Sequence, residues 1–388
     1  MIKFDPTAQG PLAGVRVLDL SRLVAGNMLT AYLADFGADV IKVERGDEGD
    51  DLRRWREGDM PIHWKVYGRN KRSLVLDLQS KGGLVHLKKL VRHSHVLVEN
   101  FLPGTLEQMG LAPDLLLEIN PALVIARISG WGQTGPYSRK PGFGTLVEAM
   151  SGFAYLNGFP DRPPVLPPLA LADMIAGIYG AAGVLTALRV AELKGQGQVV
   201  DISLFEPIFS MISSEAGKTK LTGMATLRAG NQSTHTAPRN IYACSDGGYV
   251  ALSGSMQSMA MRILETIGRP ELRHDPRFST NEARVINRDE LDTIIGAFIA
   301  VRTTEENLTL FDTANVTVGP VLSMADLLDH PYTVGRQAIV EVEDEDMGGL
   351  PMHNVVPRLT ATPGGLRRPA PRLGQHTDEV LAELERLP

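Results

Sequence analysis

From Val15 to Gly130 the chain alternates short apolar runs with stretches of helical periodicity, and that alternation commits it to parallel strands joined by crossover helices. VRVLDL (15–20) reads as a buried strand, 28–36 as a helix halted by Gly37, and ADVIKVE (38–44) as the next strand. SLVLDL (73–78), a helix over 82–91 and HVLVENF (95–101) repeat the scheme. ALVIARISG (122–130) and QVVDISLFE (198–206) add two strands, the second entered through the Gly195-Gln196-Gly197 turn. The expected fold class is therefore α/β with a doubly wound parallel sheet, and ligands of such sheets gather at the carboxyl ends of the strands.

At 388 residues the chain exceeds what one compact core holds, so two domains are expected. The pattern changes after residue 216. NIYACSDGGYVALSG (240–254) is two strands around an Asp-Gly-Gly turn, followed by helices over 257–267 and 288–300. The tail from 334, with RQAIVEVED and a helix over 377–387, is long enough to return to the first domain. A net charge of −6 gives no long-range attraction for nucleic acid or an anionic membrane, so neither is an expected partner. One cysteine, Cys244, excludes an internal disulfide and a thiolate-built metal site and suits a reducing compartment. With no apolar leader-like run at MIKFDPTAQGPLAG and no uncharged stretch long enough to span a bilayer, the expected location is the cytoplasm.

Glu44, at the end of the second strand, is placed as a ribose-binding acid would be, but the turn after the first strand reads Ser21-Arg22-Leu23-Val24-Ala25-Gly26. A single glycine there cannot bring backbone against a pyrophosphate, which excludes a dinucleotide fingerprint, and no phosphate-cradling Gly-x-x-x-x-Gly-Lys loop occurs. Nine scattered histidines, the nearest pair being His93 and His95, give no metal constellation, and Cys244 in a hairpin strand reads as packing. Asp173 stands apart. It lies where the Pro-rich loop 160–168 meets a Gly- and Ala-rich helix over 173–193, where amides and the helix dipole favour negative charge. Taken alone it reads as an N-cap.

The surrounding motifs change that reading. GPLAGVRVLDLSRLVAG (10–26), LADFGADVIKVE (33–44), GRNKRSLVLDL (68–78), VLVENFLPGTLEQMGL (96–111) and ISGWGQTGPYSRKPGFGTLVEAMSG (128–152) are followed by the LADMIAGIYGAAGVLTAL helix, GQGQVVDISLFE and PRLGQHTDEVLAEL. In this order and spacing the chain resembles the family III CoA-transferases (CaiB/BaiF), which include formyl-CoA transferase and the carnitine and bile-acid CoA-transferases. The resemblance implies a Rossmann-like large domain from 1–216 and 341–388, a smaller α/β domain over 230–322, linkers at 217–229 and 323–340, and an interlocked homodimer.

It also implies that Asp173 is the nucleophile of a CoA-transferase. A carboxylate with a reference pKa of ~3.9 is ionised at neutral pH and needs no activating base. Attack on an acyl-CoA gives a mixed anhydride, and returning CoA then gives an aspartyl-CoA thioester. Coenzyme A is substrate here, with no tightly bound cofactor and no metal. The implied CoA pocket comprises Arg45, Leu76, Asn100 and Phe101, with Lys71 and Arg72 as further phosphate contacts. Val24 stands where formyl-CoA transferases carry glutamine, and Gly254-Ser255-Met256-Gln257 is a poor match to their glycine-rich loop, which disfavours oxalate and formate. Succinyl-CoA is the expected donor and a small polar or dicarboxylic acid the expected acceptor, with Arg139, Lys140, Arg162, His235 and Gln257 in nearby loops. Two rival readings are a 2-methylacyl-CoA racemase and a non-catalytic CoA-binding protein. The racemase needs a Gly-His-Asp base, where this chain has Gly142-Phe143-Gly144, and phenylalanine cannot carry a proton.

Overall fold

The structure is a computed structural model that describes residues 1–386. Six strands, β1 (Arg16–Asp19), β2 (Asp39–Glu44), β3 (Lys71–Val75), β4 (Val96–Glu99), β5 (Val124–Ser129) and β6 (Gln198–Ser203), form one sheet in the order β3-β2-β1-β4-β5-β6. Every pairing is parallel, and Leu18 of β1 faces Ile41 on one side and Leu97 on the other. The order reverses between β1 and β4, opening a crevice at their carboxyl ends.

Strands buried on both faces read as near-continuous apolar runs, and here alternate residues feed separate cores. Val17, Val40, Val96, Val98 and Val124 join Leu29 and Leu33 of the Ala25–Asp35 helix and Ala176, Val184 and Leu188 of the Leu171–Lys194 helix. Leu18, Ile41, Leu74, Leu97 and Ile125 pack on the other face against Leu87 and Leu90 of the Lys81–Arg92 helix and Val380 and Leu384 of the Thr377–Arg386 helix. The Leu171–Lys194 helix is long and apolar enough to cross a membrane by composition, with a mean hydropathy of 1.6 in its most apolar stretch, and in the fold one face of it packs into the core. It lies close on the Ala25–Asp35 helix because Gly177 has no side chain: a Cβ there would stand 2.7 Å from Met28 Cβ and 2.8 Å from the Ala25 carbonyl.

Within this first unit lies a fully buried ionic cluster. Lys42 Nζ sits 3.2 Å from Asp19 and 2.7 Å from Asp50, and Lys71 Nζ lies 3.2 Å from Asp19 and 2.8 Å from Asn27 Oδ1. Burial raises the Asp50 carboxyl, but the Lys42 ammonium and the Leu52 and Asn27 hydrogen bonds outweigh it and hold it at about 2. Buried charges persist only when paired and hydrogen-bonded in this way. The cluster ties β1, β2 and β3 to the turn at 21–24, since Asp50 also accepts from the Leu23 amide.

A second compact unit is formed by Ala154–Val165 and Thr219–His330, and the rest of the chain forms the first. Its sheet is antiparallel, β7 (Arg239–Ala243), β8 (Tyr249–Ser253) and β9 (Val318–Pro320), over a core of Tyr242, Val250, Leu252, Phe278, Leu291, Ile295 and Phe311. Of the four crossings between units, those after Lys218 and His330 fall inside the expected linkers 217–229 and 323–340, although the Ser214–Thr222 helix reaches into the first of them. One correction concerns 154–165, placed in the large domain by sequence. Arg228 holds that segment to the second unit through the Tyr155 and Phe159 carbonyls, contacts between residues some 70 apart that local pattern cannot reveal.

The chain then returns to the first unit as a hairpin, β10 (Ile339–Asp344) and β11 (Gly348–His353), anchored by Lys65 to Asp344 and Asp346. Arg367 closes the Ala25–Asp35 helix by donating to the Ala34 and Ala38 carbonyls at 2.9 and 2.8 Å, placing a cation where the helix dipole is negative.

Candidate active site

The long helix begins at Leu171, two residues before the expected start, so Asp173 is its third residue and Ala170 the N-cap. The N-cap reading is thereby corrected. Ala170 offers no side chain to the free amides of the first turn, and the Asp173 carboxylate answers only its own. The Ala172 amide instead donates to Glu148 Oε1 at 3.1 Å. Glu148 is buried, on the Gly144–Met150 helix, an element unforeseen in what reads as loop.

Asp173 itself is partly buried, and its Oδ2 lies against Gly144: a Cβ at that glycine would sit 2.1 Å from the oxygen. Gly144 and Glu148 are four residues apart and therefore share one helix face, the first leaving room for the carboxylate and the second holding the helix that carries it. Burial, then the neighbouring Glu148 carboxylate, pushes Asp173 up to about 6, against the opposing pull of its own amide. The expectation that the helix terminus favours its charge is corrected in direction. At pH 7 a carboxyl of that pKa is still mostly ionised, and it is more basic than an ordinary aspartate, so the arrangement suits a nucleophile.

Beside it, Ala170 and Met174 pack on Val24, Leu52 and Trp64, which joins the start of this helix to the 21–24 turn. That turn borders a cavity of about 520 Å³ at the carboxyl ends of β1, β2 and β3. Of the expected CoA-binding residues, Arg45, Leu76 and Phe101 line it together with Arg22, Gln79 and Met109. Asn100 contributes as scaffold: its side-chain amide grips the Arg22 backbone, accepting at 2.9 Å and donating at 2.7 Å. Arg22 and Arg45 are about half exposed, 3.7 Å from Asp51 and 3.6 Å from Glu48, and Arg54 pairs with both of those acids. The cavity mouth thus carries two half-exposed arginines whose acidic partners they share with Arg54.

Lys71 and Arg72 are corrections. Lys71 is wholly buried, and burial, opposed by Asp19 and reinforced by the Lys42 ammonium, pulls it down to about 8. Arg72 is spent on Asp39, Glu379 and Glu383, clamping β2 and β3 to the Thr377–Arg386 helix. A basic pair expected to meet phosphate is instead interior, because its partners arrive from distant parts of the chain. Arg139 and Lys140 are exposed in the first unit, Lys140 resting 4.6 Å above the Tyr137 ring. In the second unit Arg162 lies over Phe159, His235 is exposed, and Gln257 donates its amide to the Ser279 carbonyl at 2.7 Å. Phe143 is exposed and N-caps the Gly144–Met150 helix without a side-chain bond, so the racemase base has no counterpart there.

Residues 12–377 match the family model described as CoA-transferase family III. Among curated proteins the chain is 41% identical to succinyl-CoA–D-citramalate CoA-transferase of Chloroflexus aurantiacus, over 96% of this chain and 94% of that one. It is 33% identical to succinate–glutarate CoA-transferase of Agrobacterium fabrum, over 98% and 97%. A crystal structure of a CaiB/BaiF family protein from Brucella suis superposes with a TM-score of 0.85 at 31% identity, covering 97% of this chain and all of that one.

Proposed function

The chain belongs to CoA-transferase family III and transfers CoA between an acyl-CoA and a carboxylic acid; from that premise we propose that Asp173 carries the reaction covalently. Its carboxylate attacks the thioester carbonyl, forming an acyl–aspartyl anhydride and releasing CoA thiolate. The thiolate attacks the aspartyl carbonyl, freeing the donor acid and leaving an aspartyl-CoA thioester. The acceptor carboxylate then attacks that thioester, and CoA attacks the acceptor's carbonyl in the new anhydride, which restores Asp173. The observation that carries this reading is a carboxylate made basic by burial, its Oδ2 seated against Gly144 in room that any side chain there would take.

CoA is proposed to lie in the cavity at the sheet's carboxyl edge, its phosphates drawing Arg22 and Arg45 from Asp51 and Glu48. Succinyl-CoA is the proposed donor and a small dicarboxylic acid the acceptor, supported by relatives named for succinyl-CoA with citramalate and for succinate with glutarate. The first unit is proposed to be Rossmann-like, on the strength of its strand order, and to work in a homodimer. A second copy is the proposed cover for the exposed apolar residues Ile178, Tyr179, Phe209 and Met211, which adjoin one another through the Tyr179–Ser210 hydroxyl contact.

The experiment is to incubate the protein with succinyl-CoA, quench with hydroxylamine and analyse the peptide bearing residue 173. A hydroxamate on Asp173, absent in Asp173→Ala, is expected. An unmodified peptide during measurable turnover would overturn the covalent route.

A further inference from the structure

We propose that Glu148 is the positioning residue of the nucleophile: it caps the Leu171–Lys194 helix from outside and, through its charge, keeps the Asp173 carboxylate reactive. This deepens the reading above and rests on it. The first turn of that helix lacks an N-cap side chain, and in most helices an Asp near such an end binds the free amides, which spreads and stabilises its charge. Here the Ala172 amide is taken by Glu148 at 3.1 Å, so it is satisfied without drawing on Asp173. Glu148 is 2% exposed, too buried to be an incidental surface acid. Its helix brings Gly144 against Asp173 Oδ2 in the same stroke, so one element clears the space, caps the helix and presents a second negative charge.

The other charged groups on the elements packed around the nucleophile helix are engaged elsewhere. Asp35, on the Ala25–Asp35 helix, pairs with Arg69, Glu206 accepts from Ser203 Oγ, Asp201 accepts from the Gln133 amide, and Arg127 bonds Glu99 and Glu107. Glu148 is accordingly the charge that bears on Asp173, and the acid limb of the activity profile is set by this pair.

The test compares kcat/KM between pH 4.5 and 8.5 for the parent, Glu148→Gln and Glu148→Asp, each checked for folding by circular dichroism and trapped with hydroxylamine. Glutamine keeps the hydrogen bond to Ala172 and removes the charge. Its acid limb is expected to move down by about one unit, raising the ratio of activity at pH 5 to that at pH 8 about fivefold, while the activity at pH 8 falls several-fold. Aspartate keeps the charge on a shorter arm, and its limb should stay in place with a lower plateau. A Gln profile superimposed on the parent's, or an Asp limb displaced downward by a unit, overturns the proposal and leaves Glu148 a simple cap. Absence of the Asp173 hydroxamate in the turning-over parent would instead overturn the nucleophile itself.

Discussion

A carboxylate in the first turn of a helix ordinarily ionises more readily than in water, and Asp173 goes the other way because burial and Glu148 outweigh the backbone. That reversal has a thermodynamic sign. A carboxyl whose folded pKa is about 6, against ~3.9 unfolded, binds protons more tightly when folded, so it destabilises the protein above pH 6 and ceases to do so as pH falls through 6 toward 4. Asp173→Asn should therefore abolish turnover and raise stability by about 1–2 kcal/mol at pH 8, a gain that falls to about a third of that at pH 4.5. Urea denaturation at the two pH values checks this, and equal gains at both would refute it. Asp173 stands out in the sequence because its motif context is distinctive, whereas Glu148 does not: it sits in a short helix whose one-sided TLVEAM pattern resembles loop. A signal for the buried ion cluster did exist, namely Lys42 and Asp19 inside otherwise apolar strands, where an unpaired charge is not tolerated.

At the level of elements, the parallel strands were readable to within three residues, best at β1 and β2, where burial on both faces leaves unbroken apolar runs, and worst at the carboxyl ends of β3 and of the exposed edge strand β6. Residues 71 and 72 were misread for the complementary reason. Their partners lie on β1, on β2 and in the Thr377–Arg386 helix, and pairings of that range leave no trace in local composition. The contact between the two core helices has the same non-local origin. Alanine is the better helix former by about 1 kcal/mol, but at position 177 its Cβ meets the Ala25 backbone, which has no rotamer to yield. Gly177→Ala is expected to cost a net 1–3 kcal/mol or so and to lower activity, since the displaced helix carries Asp173. A stability equal to or above the parent's in a denaturation titration would show that the packing is looser than described.

For the molecule as a whole, the division into two units was visible in the shift from βαβ alternation to a hairpin, while the capture of 154–165 by the second unit was hidden in an arginine far along the chain. Light scattering on the pure protein should give the mass of a dimer, and Ile178→Asp should shift it toward monomer; a monomeric parent would remove the proposed pairing. The composition of the first unit bears on how the protein is made. Val380 and Leu384 cover one face of a sheet whose last strand, β6, ends at Ser203. At 5–20 residues per second, roughly 180 further residues are translated before that last cover emerges, an interval on the order of ten seconds or more. For that time Leu87, Leu90 and Leu116 already cover part of that face, and the strip that Val380 and Leu384 will close waits as the last open edge of an otherwise assembled core.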